Sequence, residues 1–249
     1  MTNEHNLGQY FTTNKILKKK VYEFIKNEPS IILEPSIGQG DSVTYVMKKR
    51  PNIMFDMYEI DDKIKILKPI RKNEIIYGDF MKQKIIQTYK TIIGNPPYVK
   101  TKKGNLYLDF IDKCYHLLDD DGELIFIVPS DFFKLTHSSK LLNKMMKHGT
   151  FTHVYHPHNE KMFENACIDV IVFRYCKDPS IKKKVLYNDR LMYITNSDGL
   201  ITFGKNKIQN SVLLHLYTFK TPSFIDNFYV LIFYVCVLYS RNFFFYKNQ

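Results

Sequence analysis

Apolar runs of strand length alternate along most of this chain with stretches whose apolar residues recur at helical spacing. Ile16, Leu17, Val21, Phe24 and Ile25 predict a first helix, which Thr12, Thr13 or Asn14 can cap. A short buried strand at residues 31–33 leads through a polar turn with Gly38 and Gly40 into a helix from Asp41 to Lys49. A second strand, Ile53 to Asp61, carries Glu59 at its tip and is followed by a predicted helix over residues 61–70. A third, Glu74 to Tyr77, closes at Gly78-Asp79-Phe80, and a fourth stops abruptly at Asn95-Pro96-Pro97-Tyr98. Beyond it lie an amphipathic helix through Leu106, Phe110, Ile111 and Leu117, a predicted turn at Asp119 to Gly122, and a fully apolar fifth strand ending near Pro129. A helix from Leu141 to Lys147 precedes two last strands, Phe151 to His156 and Cys167 to Tyr175, which are expected to pair antiparallel.

This alternation is the signature of an α/β fold with an open, mostly parallel sheet. Glu34, Glu59, Asp79 and Asn95 finish the first four strands in turn. Ligands of such sheets bind outside the carboxyl ends of the strands, so the ordering points to one site built from all four. Gly38 and Gly40 let the backbone turn tightly and approach a ligand. The turn lacks Gly-Lys-Ser/Thr, which excludes a P-loop, and its Gly-x-Gly is not completed to the dinucleotide fingerprint. Glu59 follows the glycines by roughly 20 residues, the spacing of a ribose-binding acid, although an acid at a helix start has the bland reading of a favourable first-turn charge. Asp79 reads either as a cap or as an acceptor for an exocyclic amine, with Phe80 packing on the ring that bears it.

The lip after the fourth strand is chemically distinctive. Consecutive prolines fix φ at roughly −65° and remove two backbone donors, so this stretch presents carbonyls and the Asn95 amide oxygen beside the Tyr98 ring. Such an acceptor-rich edge suits a flat, amine-bearing nucleobase, and adenine is its natural guest.

Composition adjusts the picture without creating it. The chain has 249 residues, 45% hydrophobic, enough for one good core and a small second unit. Lys and Arg exceed Asp and Glu by 36 to 25, and the resulting +11 favours a polyanionic partner. The four cysteines form no Cys-x-x-Cys pair and no zinc spacing, so reduced thiols and no metal are expected. His156 and His158 show no acidic or cysteine partner in the sequence and read as surface histidines. The N-terminus lacks a signal-peptide pattern. After Lys177 the composition changes to a lysine run, turn residues and short β-like pieces, which sets the expected division into 1–177 and 178–249. The apolar run from Phe228 to Tyr239 is shorter than the roughly 20 residues of a spanning helix. We therefore expect no membrane segment and read that run as a buried or altered terminus.

Taken together, Gly8-Gln9-Tyr10-Phe11-Thr12, Leu33-Glu34-Pro35-Ser36 with its glycines, Gly78-Asp79-Phe80 and Asn95-Pro96-Pro97-Tyr98 resemble, in identity and order, the gamma-type adenine-N6 DNA methyltransferases of restriction-modification systems and large DNA viruses. The resemblance covers about residues 8 to 200. It implies a Rossmann-like, S-adenosylmethionine-dependent methyltransferase fold, with a mostly parallel seven-stranded sheet, an antiparallel final strand and a short C-terminal DNA-reading region. It implies that Tyr10, Thr12, Glu34, Pro35, Ser36, Gly38 and Gly40 surround the methionine end of the cofactor. Glu59 would accept both ribose hydroxyls, and Ile60, Asp79, Phe80, Asn95 and Pro97 would complete the cofactor site. Asn95 and Pro96 would accept the amine hydrogens of the target base, with Tyr98 stacking on it and Phe163 opposite, unless Phe163 is simply a core residue. The implied partner is double-stranded DNA, with a base flipped out of the duplex, and the implied protein is a cytoplasmic monomer, or one of an infected host cell or virion, compatible with a cognate restriction endonuclease. Glutamine-N5 methylation of a protein, RNA methylation and a truncated, inactive cofactor- or DNA-binding module remain alternatives on the sequence. The stretch Gly8 to Thr12, which glutamine methyltransferases usually lack, speaks against the first.

Overall fold

Asn14 starts the first helix, its Oδ1 accepting the Ile16 and Leu17 backbone amides at 2.9 and 3.4 Å. The computed structural model describes residues 10–101, 104–164 and 166–205, so the expectations made for Gly8, Gln9 and the run 228–239 lie outside the described residues. Helices α1 (Lys15–Phe24), α2 (Asp41–Lys49), α3 (Leu106–His116) and α4 (Ser139–His148) flank strands β1 (Ile31–Glu34), β2 (Met54–Glu59), β3 (Ile75–Tyr77), β4 (Tyr89–Gly94), β7 (Leu118–Pro129), β8 (Thr150–Tyr155) and β9 (Val170–Cys176). β5 (Lys100–Thr101) and β6 (Gly104–Asn105) form a separate small hairpin just after the proline lip.

The main sheet runs β12 (Leu200–Gly204), β11 (Arg190–Ser197), β10 (Lys184–Tyr187), β8, β9, β7, β4, β1, β2, β3. β3, β2, β1, β4 and β7 are mutually parallel, and β9 is antiparallel to β7 and β8 on either side. The expected seven strands are therefore present with the expected antiparallel member. Three more extend them. β10 pairs parallel to β8, and β11 and β12 fold back antiparallel. The composition change after Lys177 thus marks no break in the sheet. β10 covers the edge of β8, whose unpaired backbone groups would otherwise be open to other strands.

Side chains alternate across the central strands, as the pleat requires. Leu33, Ile92, Leu124, Phe126, Val128, Ile171 and Phe173 enter the core under α3 and α4. Their neighbours Ile32, Ile93, Ile125, Ile127, Val170 and Val172 enter the opposite core with Leu17, Val21 and Phe24 of α1 and Val46 of α2. Burial on both faces explains why β4 and β7 read as continuous apolar runs rather than alternating ones. Each fully buried side chain contributes about 1.5–3 kcal/mol.

Two expectations are corrected. Residues 61–70 form turns rather than a helix. Pro69 has no amide hydrogen for a helical ladder, and the Leu67 amide instead donates to Gln39 O at 2.8 Å, tying this segment to the glycine turn. Asp119 to Gly122 do not end α3 as a free turn but open β7 as a bulge, where Tyr89 faces Leu118 and Thr91 already faces Glu123. The buried Glu123 fixes this register: it accepts Arg174 Nε at 2.7 Å and Thr91 Oγ1 at 2.9 Å, together with the backbone amides of Lys26 and Asn27.

Candidate active site

The carboxyl ends of β1, β2, β3 and β4 surround a cavity of about 310 Å³. β1 delivers Glu34 to its wall, almost fully buried, with Oε1 accepting the Ser36 amide at 3.1 Å. That single amide does not offset the loss of water, and burial pushes the Glu34 carboxyl up to about 8. The chain then turns through Gly38 and Gly40, at φ of 58° and 93°. These are left-handed conformations that glycine adopts without strain. At Gly40 a Cβ would also stand 2.5 Å from Ile70 Cδ1, so the constraint comes from the packed turn behind the cavity. Gly40 is off the cavity wall, whereas Gly38 lies on it.

Glu59, at the tip of β2, braces this turn. Its Oε2 accepts the Gly38 amide at 2.8 Å and its Oε1 the amides of Ile60 and Asp61 at 3.0 and 3.1 Å. A carboxylate offers about four lone-pair sites, so one acceptor position on Oε2 remains for a ligand rather than the pair that the ribose role assumed. Burial raises the Glu59 carboxyl above its ordinary range despite these bonds. Ile60 beside it is half exposed and lines the cavity.

Asp79 caps a single 3-10 turn, Oδ1 accepting the Met81 amide at 2.9 Å, and it also lines the cavity. Phe80 is buried against Tyr58 and Phe110, with ring centroids 5.3 and 5.4 Å away. Lys113 of α3 supports this wall from behind: its Nζ donates to Phe80 O and Gln83 O at 2.5 and 2.7 Å and lies 4.5 Å from the Phe80 ring centroid. Lys113 carried no signal in the sequence because its partners are backbone carbonyls of a distant segment. Asp41, the first residue of α2, also lines the cavity; in the sequence it marks only the start of that helix.

At the lip, Asn95 is held from both ends of its amide. Nδ2 donates to Tyr10 O at 2.6 Å and Thr12 Oγ1 at 3.2 Å, while Oδ1 accepts the Tyr98 hydroxyl at 2.6 Å. The same hydroxyl lies 3.1 Å from Ile127 O at the end of β7. The Tyr10 and Tyr98 rings stack at 5.4 Å and 28°, and Phe163 stands 5.7 Å from Tyr10 and 6.3 Å from Tyr98. The 10–12 segment, the end of β7 and Phe163 thus meet at the lip formed by Asn95 and Tyr98. Pro96 is buried and Pro97 lines the cavity, whereas Pro96, Tyr98 and Phe163 lie off its wall, and Phe163 is buried in the core with Ile127 and Val172, with Tyr98 packed against that cluster. Tyr10, Thr12, Glu34, Pro35, Ser36, Gly38, Glu59, Ile60, Asp79, Phe80, Asn95 and Pro97 all border the cavity.

His156 departs from expectation. It is mostly buried and does have an acidic partner: Nε2 lies 2.8 Å from Asp169 Oδ1 and Nδ1 2.9 Å from the Tyr187 hydroxyl, while Asp169 also accepts from Ser130 Oγ. The partners come from β10 and the residue before β9, and only the sheet brings them together. His158 packs on the His156 ring at 3.8 Å. Among the described residues no group of three or more His, Cys, Asp or Glu is arranged to hold a metal ion, and no helix is long and apolar enough to cross a membrane.

Comparison with known proteins agrees with this architecture. Type II methyltransferase M.HincII of Haemophilus influenzae is 31% identical over 223 residues, spanning 81% of this chain and 43% of that protein. M.CvrRI of Paramecium bursaria Chlorella virus XZ-6E is 31% identical over 141 residues, 51% of this chain and 37% of the viral protein. The chain thus spans less than half the length of these relatives. A solved structure of a putative class I S-adenosylmethionine-dependent methyltransferase from Listeria monocytogenes superposes with a TM-score of 0.55 at 14% identity, over 87% of this chain and 72% of that one, and supports the fold. The family model described as Eco57I restriction-modification methylase matches residues 9–163, which include the cavity, the proline lip and all three converging rings, and the chain belongs to that family.

Proposed function

We propose that this chain transfers a methyl group from S-adenosylmethionine to the N6 amine of an adenine turned out of duplex DNA. The observation that carries the reading is the position of Asn95, which lines the cavity of about 310 Å³ and whose amide is hydrogen-bonded to Tyr10 O and the Tyr98 hydroxyl, the two residues whose rings stack beside Phe163. The cavity fits the cofactor chemically: its wall carries Glu34, Asp41, Glu59 and Asp79 and no Lys, Arg or His side chain among the described residues, which suits a ligand with a sulfonium and an ammonium group. The cofactor supplies an electrophilic methyl group on sulfur. Glu34, Ser36 and Gly38 would hold its methionine end, Glu59 and Ile60 the ribose, and Asp79 with Phe80 the adenine.

The chain's own residues would prepare the amine. The N6 lone pair of adenine is delocalised into the ring and is a poor nucleophile. Asn95 Oδ1 and the Pro96 carbonyl are suited to accept its two hydrogens and favour a more tetrahedral nitrogen, which stabilises the developing positive charge. Tyr98 and Phe163 supply faces for the unstacked base, offsetting a flipping cost of roughly a few kcal/mol. Proximity then provides much of the rate. The excess of 36 basic over 25 acidic side chains favours a polyanionic substrate over a protein one.

The test is transfer of labelled methyl from S-adenosylmethionine to duplex DNA, with nucleoside mass spectrometry of the product and Asn95→Ala alongside. N6-methyladenine formed by the parent and not by the variant supports the assignment. Label appearing only in RNA or in a protein glutamine would reassign the substrate, and binding of S-adenosylmethionine with no transfer to any of them would leave a binding module.

A further inference from the structure

The acidic residues on the cavity wall differ in how their oxygens are satisfied. Glu59 accepts three backbone amides and Glu34 accepts that of Ser36. Asp41 is only 6% exposed and lines the same cavity, yet it has one partner: Lys18 Nζ of α1, 3.1 Å from Oδ1. Its Oδ2 is buried and meets no donor among the described residues.

An acid in the first turn of a helix is favoured by the aligned peptide dipoles, and this accounts for a carboxylate at position 41. It does not account for an oxygen removed from water and left without a donor, which is costly unless something supplies one. Lys18 reaches only one oxygen of the pair. A cationic donor entering the cavity is the partner that the surrounding acids favour, since Glu34, Glu59 and Asp79 share the wall and, among the described residues, no basic side chain lines it, Lys18 being already paired with Asp41 Oδ1.

We propose that Asp41 is a binding residue for the cationic amino-acid end of the cofactor, with Oδ2 accepting a hydrogen bond from the α-ammonium group while Lys18 fixes the carboxylate through Oδ1. This rests on the reading of the cavity as an S-adenosylmethionine site and adds a contact to it. Asp41 then selects for the amino-acid portion of the ligand and is indifferent to the nucleoside portion.

Calorimetric titration tests this with two ligands, S-adenosylmethionine and 5′-methylthioadenosine, which retains the nucleoside and thioether but lacks the ammonium and carboxylate. The parent is expected to bind both. Asp41→Asn and Asp41→Ser are expected to weaken S-adenosylmethionine by about tenfold to a hundredfold, the worth of a charge-assisted hydrogen bond, and to leave methylthioadenosine within about twofold. Retained methylthioadenosine binding also shows that the variants fold. Unchanged S-adenosylmethionine binding in both variants, or equal loss of both ligands, overturns the proposal while leaving the cofactor site standing. A parent that binds neither ligand overturns the cofactor reading itself and this proposal with it.

Discussion

The Tyr98 hydroxyl donates to Asn95 Oδ1 at 2.6 Å, and so occupies the acceptor that the proposed chemistry gives to the target amine. Two residues separate them in the chain, and these prolines turn the ring back onto the amide. An amide oxygen has two lone pairs, so an incoming adenine competes with this hydroxyl for Asn95 Oδ1, and the hydroxyl can turn to Ile127 O while the ring stays as a stacking face. The net worth of such a hydrogen bond is about 0.5–1.5 kcal/mol. Tyr98→Phe is therefore expected to lower KM for DNA by up to about tenfold at an unchanged or higher kcat. Tyr98→Ala, which removes the stacking surface, should lose about ten- to hundredfold in kcat/KM, in line with roughly 1–3 kcal/mol per stacked base. Steady-state kinetics on one duplex compares the two, and equal damage in both variants would show that the hydroxyl assists rather than blocks.

Asn95 serves both sides of the lip, because its Nδ2 also anchors Tyr10 O and Thr12 Oγ1. Removing an acceptor aimed at developing charge costs about 10²–10³ in kcat. Asn95→Ala is expected to show that loss together with a severalfold rise in KM for S-adenosylmethionine, since the Tyr10 to Thr12 segment loses its tether. Single-turnover rates and cofactor binding separate the two effects. A variant with normal kcat would remove Asn95 from the chemistry.

Glu34 makes binding and stability depend on pH. Its carboxyl is raised to about 8 in the folded protein by burial, against an ordinary value of 4.5, with Glu59 shifted in the same direction. A raised carboxyl is protonated in the fold while the unfolded chain has already ionised. Its contribution to stability is thus fully present below about 4.5 and is lost as pH rises towards about 8. A cationic ligand favours the ionised form, so S-adenosylmethionine binding near pH 7 should release close to one proton. Titration in buffers of different ionisation enthalpy measures this. Glu34→Gln should abolish the proton release, and a parent that releases none would show that Glu34 is already charged in the empty site.

The first strands, the proline lip and the polar tips of the first four strands were legible in the sequence because they depend on local pattern: apolar runs, glycine and proline at fixed places, an acid or amide at each end. What escaped depends on contacts that only the sheet creates. Asp169 meets His156 across neighbouring strands, and Lys113 meets carbonyls of the 80–83 segment from α3. Residues 61–70 have helical spacing, yet Leu67 bonds to the glycine turn instead. β10 to β12 were legible only as β-like pieces after Lys177, and their place in the sheet follows from the open edge of β8 rather than from their own composition.

The stability of the sheet rests on a buried charge at the end opposite the cavity. Arg174 on β9 and Glu123 on β7 pair at 2.7 Å with side chains 8% and 0% exposed, and Glu123 further gathers Thr91 and the backbone after α1. Breaking a buried pair from one side leaves an uncompensated charge and costs about 3–5 kcal/mol, whereas replacing both partners by apolar groups of similar volume can be nearly neutral. Arg174→Met is therefore expected to destabilise by that amount in urea unfolding, with an unchanged denaturant slope. Combining it with Glu123→Gln, which still accepts and donates hydrogen bonds but carries no charge, should recover part of the loss. Additive damage in the double variant would show that Glu123 acts through Thr91 and the backbone amides rather than through Arg174. Because the pair lies at the far end of β7 from Asn95, cofactor affinity in the folded fraction should remain that of the parent.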